Sequence, residues 1–220
     1  MSAAAEKPAL HLRFLGHAAF DLRLGGVRLC LDPHRPGAVG GRFHLPEIQG
    51  PFDAFACTHQ HEDHAGWTPA LGTTRQVQGG EQIGRVTVTS RPAFHDQQGG
   101  TRMGLVRMLS FEADGLRIVH CGDLGEFGAQ DVAWLRGADV LLVPVGGTFT
   151  LGPAQAAQLV QAVGPRVAVP MHAADPRIDL RLEPVEAFLQ ALGQPFEQLQ
   201  ELVLDADAGP RCAIAWLRPG

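Results

Sequence analysis

The sequence lacks any excess of basic residues: 18 Lys and Arg stand against 23 Asp and Glu, for a formal net charge of −5 and a pI near 6.0. Proteins that bind nucleic acid cluster Lys and Arg on one face, so this balance disfavours a nucleic-acid partner and favours a small-molecule substrate. Also missing is any run of about 18 apolar residues, which excludes a helical membrane span. The opening Met-Ser-Ala-Ala-Ala-Glu-Lys-Pro has no apolar centre of a signal peptide, so a cytoplasmic protein is expected. There is no Cys-x-x-Cys pair. Cys30, Cys57, Cys121 and Cys212 are widely spaced, three of them within apolar strand-like runs, and read as buried free thiols rather than metal ligands. Tyr is absent and Lys7 is the only lysine, and neither scarcity points to a chemistry. No charge run or low-complexity stretch divides the 220 residues, so one domain over residues 1–220 is expected.

What is present reads first as β structure. Residues 10–15, 19–24 and 27–31 are strand-like, with Leu24-Gly25-Gly26-Val27 as a hairpin turn. Residues 33–51, rich in Gly and Pro and without a period, read as a loop of the kind that serves a site. Strand character resumes at 52–58, a short helix is predicted over 65–71, and strands over 75–78, 86–89, 103–111 and 116–121. From residue 131 the texture alternates: helix 131–136, strand 140–145, helix 153–163, strand 166–171, helix 183–192, then closing strands 202–204 and 212–217. This predicts an α/β protein with buried strands, and two mixed sheets packed face to face with helices outside satisfy the order.

The chemistry is concentrated where the apolar run Ala54-Phe55-Ala56-Cys57-Thr58 ends in His59-Gln60-His61-Glu62-Asp63-His64. In an extended segment residues two apart face the same way, so His59 and His61 can share one metal ion. Asp63 and His64 precede Ala65-Gly66, where a turn lets their side chains diverge and address a second ion nearby. Imidazole with carboxylate suits Zn²⁺, with bonds of about 2.0 to 2.2 Å, although the same donors hold Mn²⁺, Fe or Co. The plain alternative makes the three histidines surface residues and Asp63 a helix cap. A strand in front and a turn behind argue for the metal. Two ions need more donors, and His95, Asp123 and His172 each stand where a strand run gives out. Singly each would pass for a turn cap; their recurrence is the signal.

These residues resemble the metallo-β-lactamase superfamily, whose His-x-His-x-Asp-His motif is followed by a His, an Asp and a His on later strands. Gly16-His17-Ala18-Ala19-Phe20, Asp32-Pro33, Gly122-Asp123, Pro144-Val145-Gly146-Gly147-Thr148-Phe149-Thr150 and Pro170-Met171-His172 are similar to a bacterial branch of metal-dependent hydrolases related to ascorbate-6-phosphate lactonase. The resemblance implies a four-layer αββα sandwich with the site at one edge between the sheets. It implies one metal held by His59, His61 and His95, another by Asp63, His64 and His172, and Asp123 bridging both. Asp32 matches an acid that orients the ligands by hydrogen bonds, and His17 a position facing the substrate or a satisfied structural histidine. The expected function is hydrolysis of an ester, lactone or phosphoester bond in a small molecule by a hydroxide shared between two divalent ions, Zn or else Mn or Fe, with Asp63 or Asp123 passing the proton. A phosphodiesterase or nuclease, or an iron-dependent oxidoreductase, is the alternative on the same fold.

Overall fold

The computed structural model describes residues 9–207 and 213–218. The first strands are β1 (Ala9–Gly16), β2 (Ala19–Leu24), β3 (Val27–Leu31), β4 (Ala54–Ala56) and β5 (Gln76–Val77). They are followed by β6 (Glu81–Ile83), β7 (Val86–Phe94), β8 (Leu105–Ala113), β9 (Leu116–His120), β10 (Val140–Pro144) and β11 (Val167–Met171). The chain closes with β12 (Phe196–Leu199), β13 (Leu202–Asp205) and β14 (Ala213–Leu217). Cys212, expected to open that last strand, lies outside the described residues, and Cys30, Cys57 and Cys121 are buried free thiols. A six-stranded sheet has the order β13-β1-β2-β3-β4-β5 and an eight-stranded sheet the order β12-β14-β11-β10-β9-β8-β7-β6. Both sheets are mixed. In the first, β3 pairs with β4 in parallel beside antiparallel β1, β2 and β3; in the second, β9, β10 and β11 are parallel beside antiparallel β7 and β8.

Burial follows the residue pattern. The runs Val-Leu-Leu-Val-Pro of β10 and Val-Ala-Val-Pro-Met of β11 are buried at every position, as expected of central parallel strands covered on both faces. Leu10, Leu12, Phe20 and Leu22 of the first sheet meet Val88, Phe111, Ile118 and Leu142 of the second in the core between the sheets. Truncating one of these, such as Leu142→Ala, costs about 2 to 5 kcal/mol. On the far side of the second sheet, Met108, Val119, Leu141 and Val143 pack under α1 (Ala129–Leu135), α2 (Pro153–Val163) and α3 (Val185–Leu192). The first sheet is covered differently, by Ile48 and Phe52 of the long loop and Leu71 of a 3₁₀ turn at Pro69–Leu71. That turn is all that forms of the helix expected over 65–71. Pro69 starts it and left-handed Gly72 ends it, and a Cβ on Gly66 would meet the backbone of His34 and Arg35 at 2.5 Å, so the segment is held against the loop instead of coiling.

Two elements escaped the pattern altogether. β6 is three residues long and β12 is almost wholly exposed, so neither has the apolar alternation that announces a strand. Conversely β7 runs on through Pro92 to Phe94, five residues beyond the strand expected at 86–89. None of the helices among the described residues is long and apolar enough to cross a membrane.

The strand directions decide where side chains converge. β1, β3 and β4 run one way in the first sheet, as do β7, β9 and β11 in the second. The residues following their C-terminal ends are His17, Asp32, Thr58 to His64, His95, Asp123 and His172. All of these gather at one edge of the sandwich.

Candidate metal centre

The turns that leave the strands have unusual backbones. His17 (φ 58°), Asp32 (φ 41°) and His172 (φ 52°) occupy the left-handed region, which costs a residue with a Cβ about 1 to 3 kcal/mol and persists only where the surroundings over-determine it. Here they do. The His172 amide donates to the His17 carbonyl at 2.7 Å, tying a turn of one sheet to a turn of the other, and the Asp32 amide donates to Ala56 at 2.8 Å.

Asp32, fully buried, is the organising acid. Its carboxylate accepts hydrogen bonds from the Thr58 amide, the Thr58 hydroxyl and His64 Nδ1, each at 2.7 Å. Having given its proton to Asp32, the Thr58 hydroxyl accepts from His59 Nδ1 at 3.0 Å, and His95 Nδ1 donates to the Phe149 carbonyl at 3.1 Å. These bonds fix the tautomers and leave His59 Nε2, His64 Nε2 and His95 Nε2 as inward-facing donor atoms.

Those atoms form two groups. His59 Nε2 and His95 Nε2 lie 3.0 and 3.2 Å from His61 Nδ1, an outer trio in which only His61 is exposed. Asp63, His64 and His172, with His17, make an inner group, buried throughout. Asp123 stands between them: Oδ1 is 3.2 Å from His64 Nε2, while Oδ2 is 3.3 Å from His172 Nε2 and 3.4 Å from His95 Nε2. His64 Nε2 and Asp123 Oδ1 are buried without a hydrogen-bond partner, which costs free energy unless something else satisfies them.

Electrostatics says what that something is. Burial pushes His17 and His59 down to about 3, so both imidazoles are neutral, the form in which an imidazole can bind a metal. Burial opposes ionisation of Asp123 and Asp63 too, but the surrounding histidines outweigh it and hold both carboxyls below the usual range. For His64, burial disfavours the charge, yet Asp123 and Asp63 win and raise it well above the ordinary value. The carboxylates of the centre thus favour positive charge beside them. Imidazole and carboxylate donors, orphaned buried atoms and charge demand together fit divalent cations.

The outer trio opens onto a cavity of about 420 Å³ lined by His61, Asp63, His95, Asp123 and His172 and walled by Val39, Met103, Phe149 and Leu180, with Arg42 at its rim. All seven expected ligands are therefore together. His17 is not on that wall: it sits behind Asp63, with its side chain wholly buried, because the turn after β1 points it inward. His120 is structural, donating from Nε2 to Ala18 and accepting at Nδ1 from the Gly122 amide.

Two acids near the cavity were not anticipated. Glu62 pairs with Arg35 and accepts from the amide of Val39, pinning the left-handed turn Ala38–Gly41 at the cavity mouth. Asp96 accepts from the amides of Gln98, Gly100, Arg102 and Met103 and so shapes the loop that brings Met103 to the cavity. Those bonds, the Met103 amide's foremost, hold its carboxyl down to about 2. An Asp before Gln-Gln-Gly-Gly is the turn signal that would have found it.

The chain is similar to known proteins in sequence and fold. A family model described as Beta-lactamase superfamily domain matches residues 11–172. A UPF0173 metal-dependent hydrolase of Thermococcus onnurineus is 31% identical over 191 residues, spanning 73% of this chain and 83% of that one. Another from Opitutus terrae is 31% identical over 195 residues, spanning 74% and 84%. Among solved structures, a candidate Zn-dependent hydrolase of the metallo-β-lactamase superfamily from Thermotoga maritima superposes with a TM-score of 0.70 at 26% identity, over 94% of this chain and 98% of that one.

Proposed function

The chain belongs to the β-lactamase superfamily, and from that premise we propose that this metal-dependent hydrolase holds two divalent ions, zinc foremost, and cleaves an ester, lactone or phosphoester bond in a small molecule. The observation that supports the reading is the meeting of the two donor groups across Asp123 at the floor of a cavity about 420 Å³ in volume. His59, His61 and His95 would hold one ion and Asp63, His64 and His172 the other, with Asp123 shared. Bound there, divalent metal supplies Lewis acidity toward a carbonyl or phosphoryl oxygen and acidifies water toward a pKa of about 7.

The chain's own residues do the rest. Asp32 and the Phe149 carbonyl keep His64 and His95 in the tautomers that present Nε2. Asp63 and Asp123, which both reach the cavity, are the carboxylates able to carry a proton to the leaving oxygen. The apolar wall of Val39, Met103, Phe149 and Leu180 excludes water and favours a substrate with an apolar body. A formal charge of −5 and a cavity of this size favour a small molecule over a nucleic acid. Buried free thiols at Cys30, Cys57 and Cys121 favour the reducing cytoplasm.

The test is to measure metal content of the purified protein, then turnover of lactones, aryl esters, bis-aryl phosphodiesters and RNA before and after chelation. Metal-dependent turnover of one of the first three is expected. Cleavage of RNA alone, or turnover that survives complete chelation, would defeat the proposal.

A further inference from the structure

We propose that His17 is itself a metal ligand, binding through Nε2 as a fourth side chain of the inner group beside Asp63, His64 and His172. This rests on the metal-dependent reading above and goes beyond the seven residues assigned there. The ligand atoms of all four residues lie within 4.8 Å of one another. The separation of His17 Nε2 from Asp63 Oδ2 is 3.2 Å. A charge-assisted bond between imidazole and carboxylate is shorter, about 2.7 to 2.9 Å, and the centre contains one at 2.7 Å between His64 Nδ1 and Asp32. With Asp123 shared, the inner ion would have five donors; neighbouring donors with bonds of about 2.0 to 2.2 Å at angles of about 90 to 120° stand about 2.8 to 3.8 Å apart, a range that includes the gap from His17 to Asp63. The gaps from His64 Nε2 to Asp123 Oδ1 and from His172 Nε2 to Asp123 Oδ2, 3.2 and 3.3 Å, are of the same size.

His17 also matches His172, an expected ligand, point for point. Both rings are buried, both have Nδ1 without a hydrogen-bond partner, and both stand on left-handed turns joined by the hydrogen bond from the His172 amide to the His17 carbonyl. Their ring centroids are 4.0 Å apart, and Phe43 closes edge-on over His17 at 4.9 Å. A histidine placed only to hydrogen-bond Asp63 needs neither the strained backbone nor the shared geometry. With His17 included, the inner ion would gain a protein donor from behind Asp63, on the side away from the cavity.

The experiment is ¹⁵N NMR of the full chain with ¹⁵N-labelled histidine, reconstituted with ¹¹³Cd²⁺. A direct ¹¹³Cd–¹⁵N coupling marks each bound imidazole. Six coupled imidazoles are expected, those of His17, His59, His61, His64, His95 and His172, with one coupling lost in His17→Gln. If that variant does not fold, the count in the unaltered protein still decides. Five couplings, none from His17, would overturn the proposal and leave the metal-dependent reading intact. No coupling to any histidine would overturn both.

Discussion

The two halves of the centre both rest on histidine, joined in the inner half by Asp63, and they are held in different ways. The inner half, His17, Asp63, His64 and His172, is buried at every position, and His64 is locked by a 2.7 Å bond to an acid that is itself fully buried. The outer half, His59, His61 and His95, exposes His61 to the cavity and is steadied by single bonds to Thr58 and a backbone carbonyl. Protein-enclosed metal sites are structural and open ones catalytic, so the more enclosed inner half should weigh more on stability and exposed His61 more on turnover, while Asp63 and His172 also face the cavity. Asp123, touching both, transmits neither role exclusively.

The strongest attack on this division is to disable each half separately. His61→Ala should lower hydrolysis at least about 10²- to 10³-fold, the loss typical of removing a group that stabilises the transition state, while leaving the chain folded with metal in the inner half. Turnover and metal analysis of the same sample read both. His64→Ala should do something else. Leaving Asp32 buried without its imidazole partner costs about 3 to 5 kcal/mol, visible as a lower midpoint of urea unfolding of the variant. Equal stability of the two variants would erase the distinction between the halves.

Much of the outer half was legible in the residue order, since alternation along an extended segment puts His59 and His61 on one side and His95 ends the run Arg91-Pro92-Ala93-Phe94, although the strand expected there stopped at 89. The inner half was legible only in part. Asp63, His64 and His172 stand at strand ends, but that His17 lies behind Asp63 depends on a hydrogen bond between turns of two different sheets, and no local pattern encodes it. The same holds for the fold. The all-apolar β10 and β11 announce themselves, whereas β12 is exposed and the cover of the first sheet is a loop whose path follows from a glycine packed against backbone. Asp96 was legible only as the turn signal before Gln-Gln-Gly-Gly, since the amides it binds are common to every sequence.

A milder test sharpens the contrast through the loop over the outer half. Asp96→Ala frees the four amides that shape residues 97–103 and should raise KM about tenfold by loosening Met103 against the substrate, with metal content unchanged. Steady-state kinetics on the substrate found by the screen, with metal analysis alongside, checks this. Loss of metal instead would mean that the loop holds His95 and not the substrate.

The smallest effect is expected behind the inner half, where Asp175 pairs with Arg177 at 2.7 Å beside the cavity that His17 reaches. Burial raises the Asp175 carboxyl, but the bonds from Arg177 outweigh it and hold it below the usual range. A depressed carboxyl stabilises the folded chain fully above its unfolded value of about 3.9, and that contribution is lost as pH falls through the folded value. Because the pair is partly exposed, Asp175→Asn should lower stability at pH 7 by no more than about 1 kcal/mol, with turnover unchanged. The deficit should shrink as urea unfolding is repeated from pH 7 down toward pH 3.5. A deficit independent of pH would show that packing, and not charge, is what Asp175 contributes there. A fall in turnover would mean that the rear of the inner half, and not only its cavity-facing Asp63 and His172, influences the chemistry.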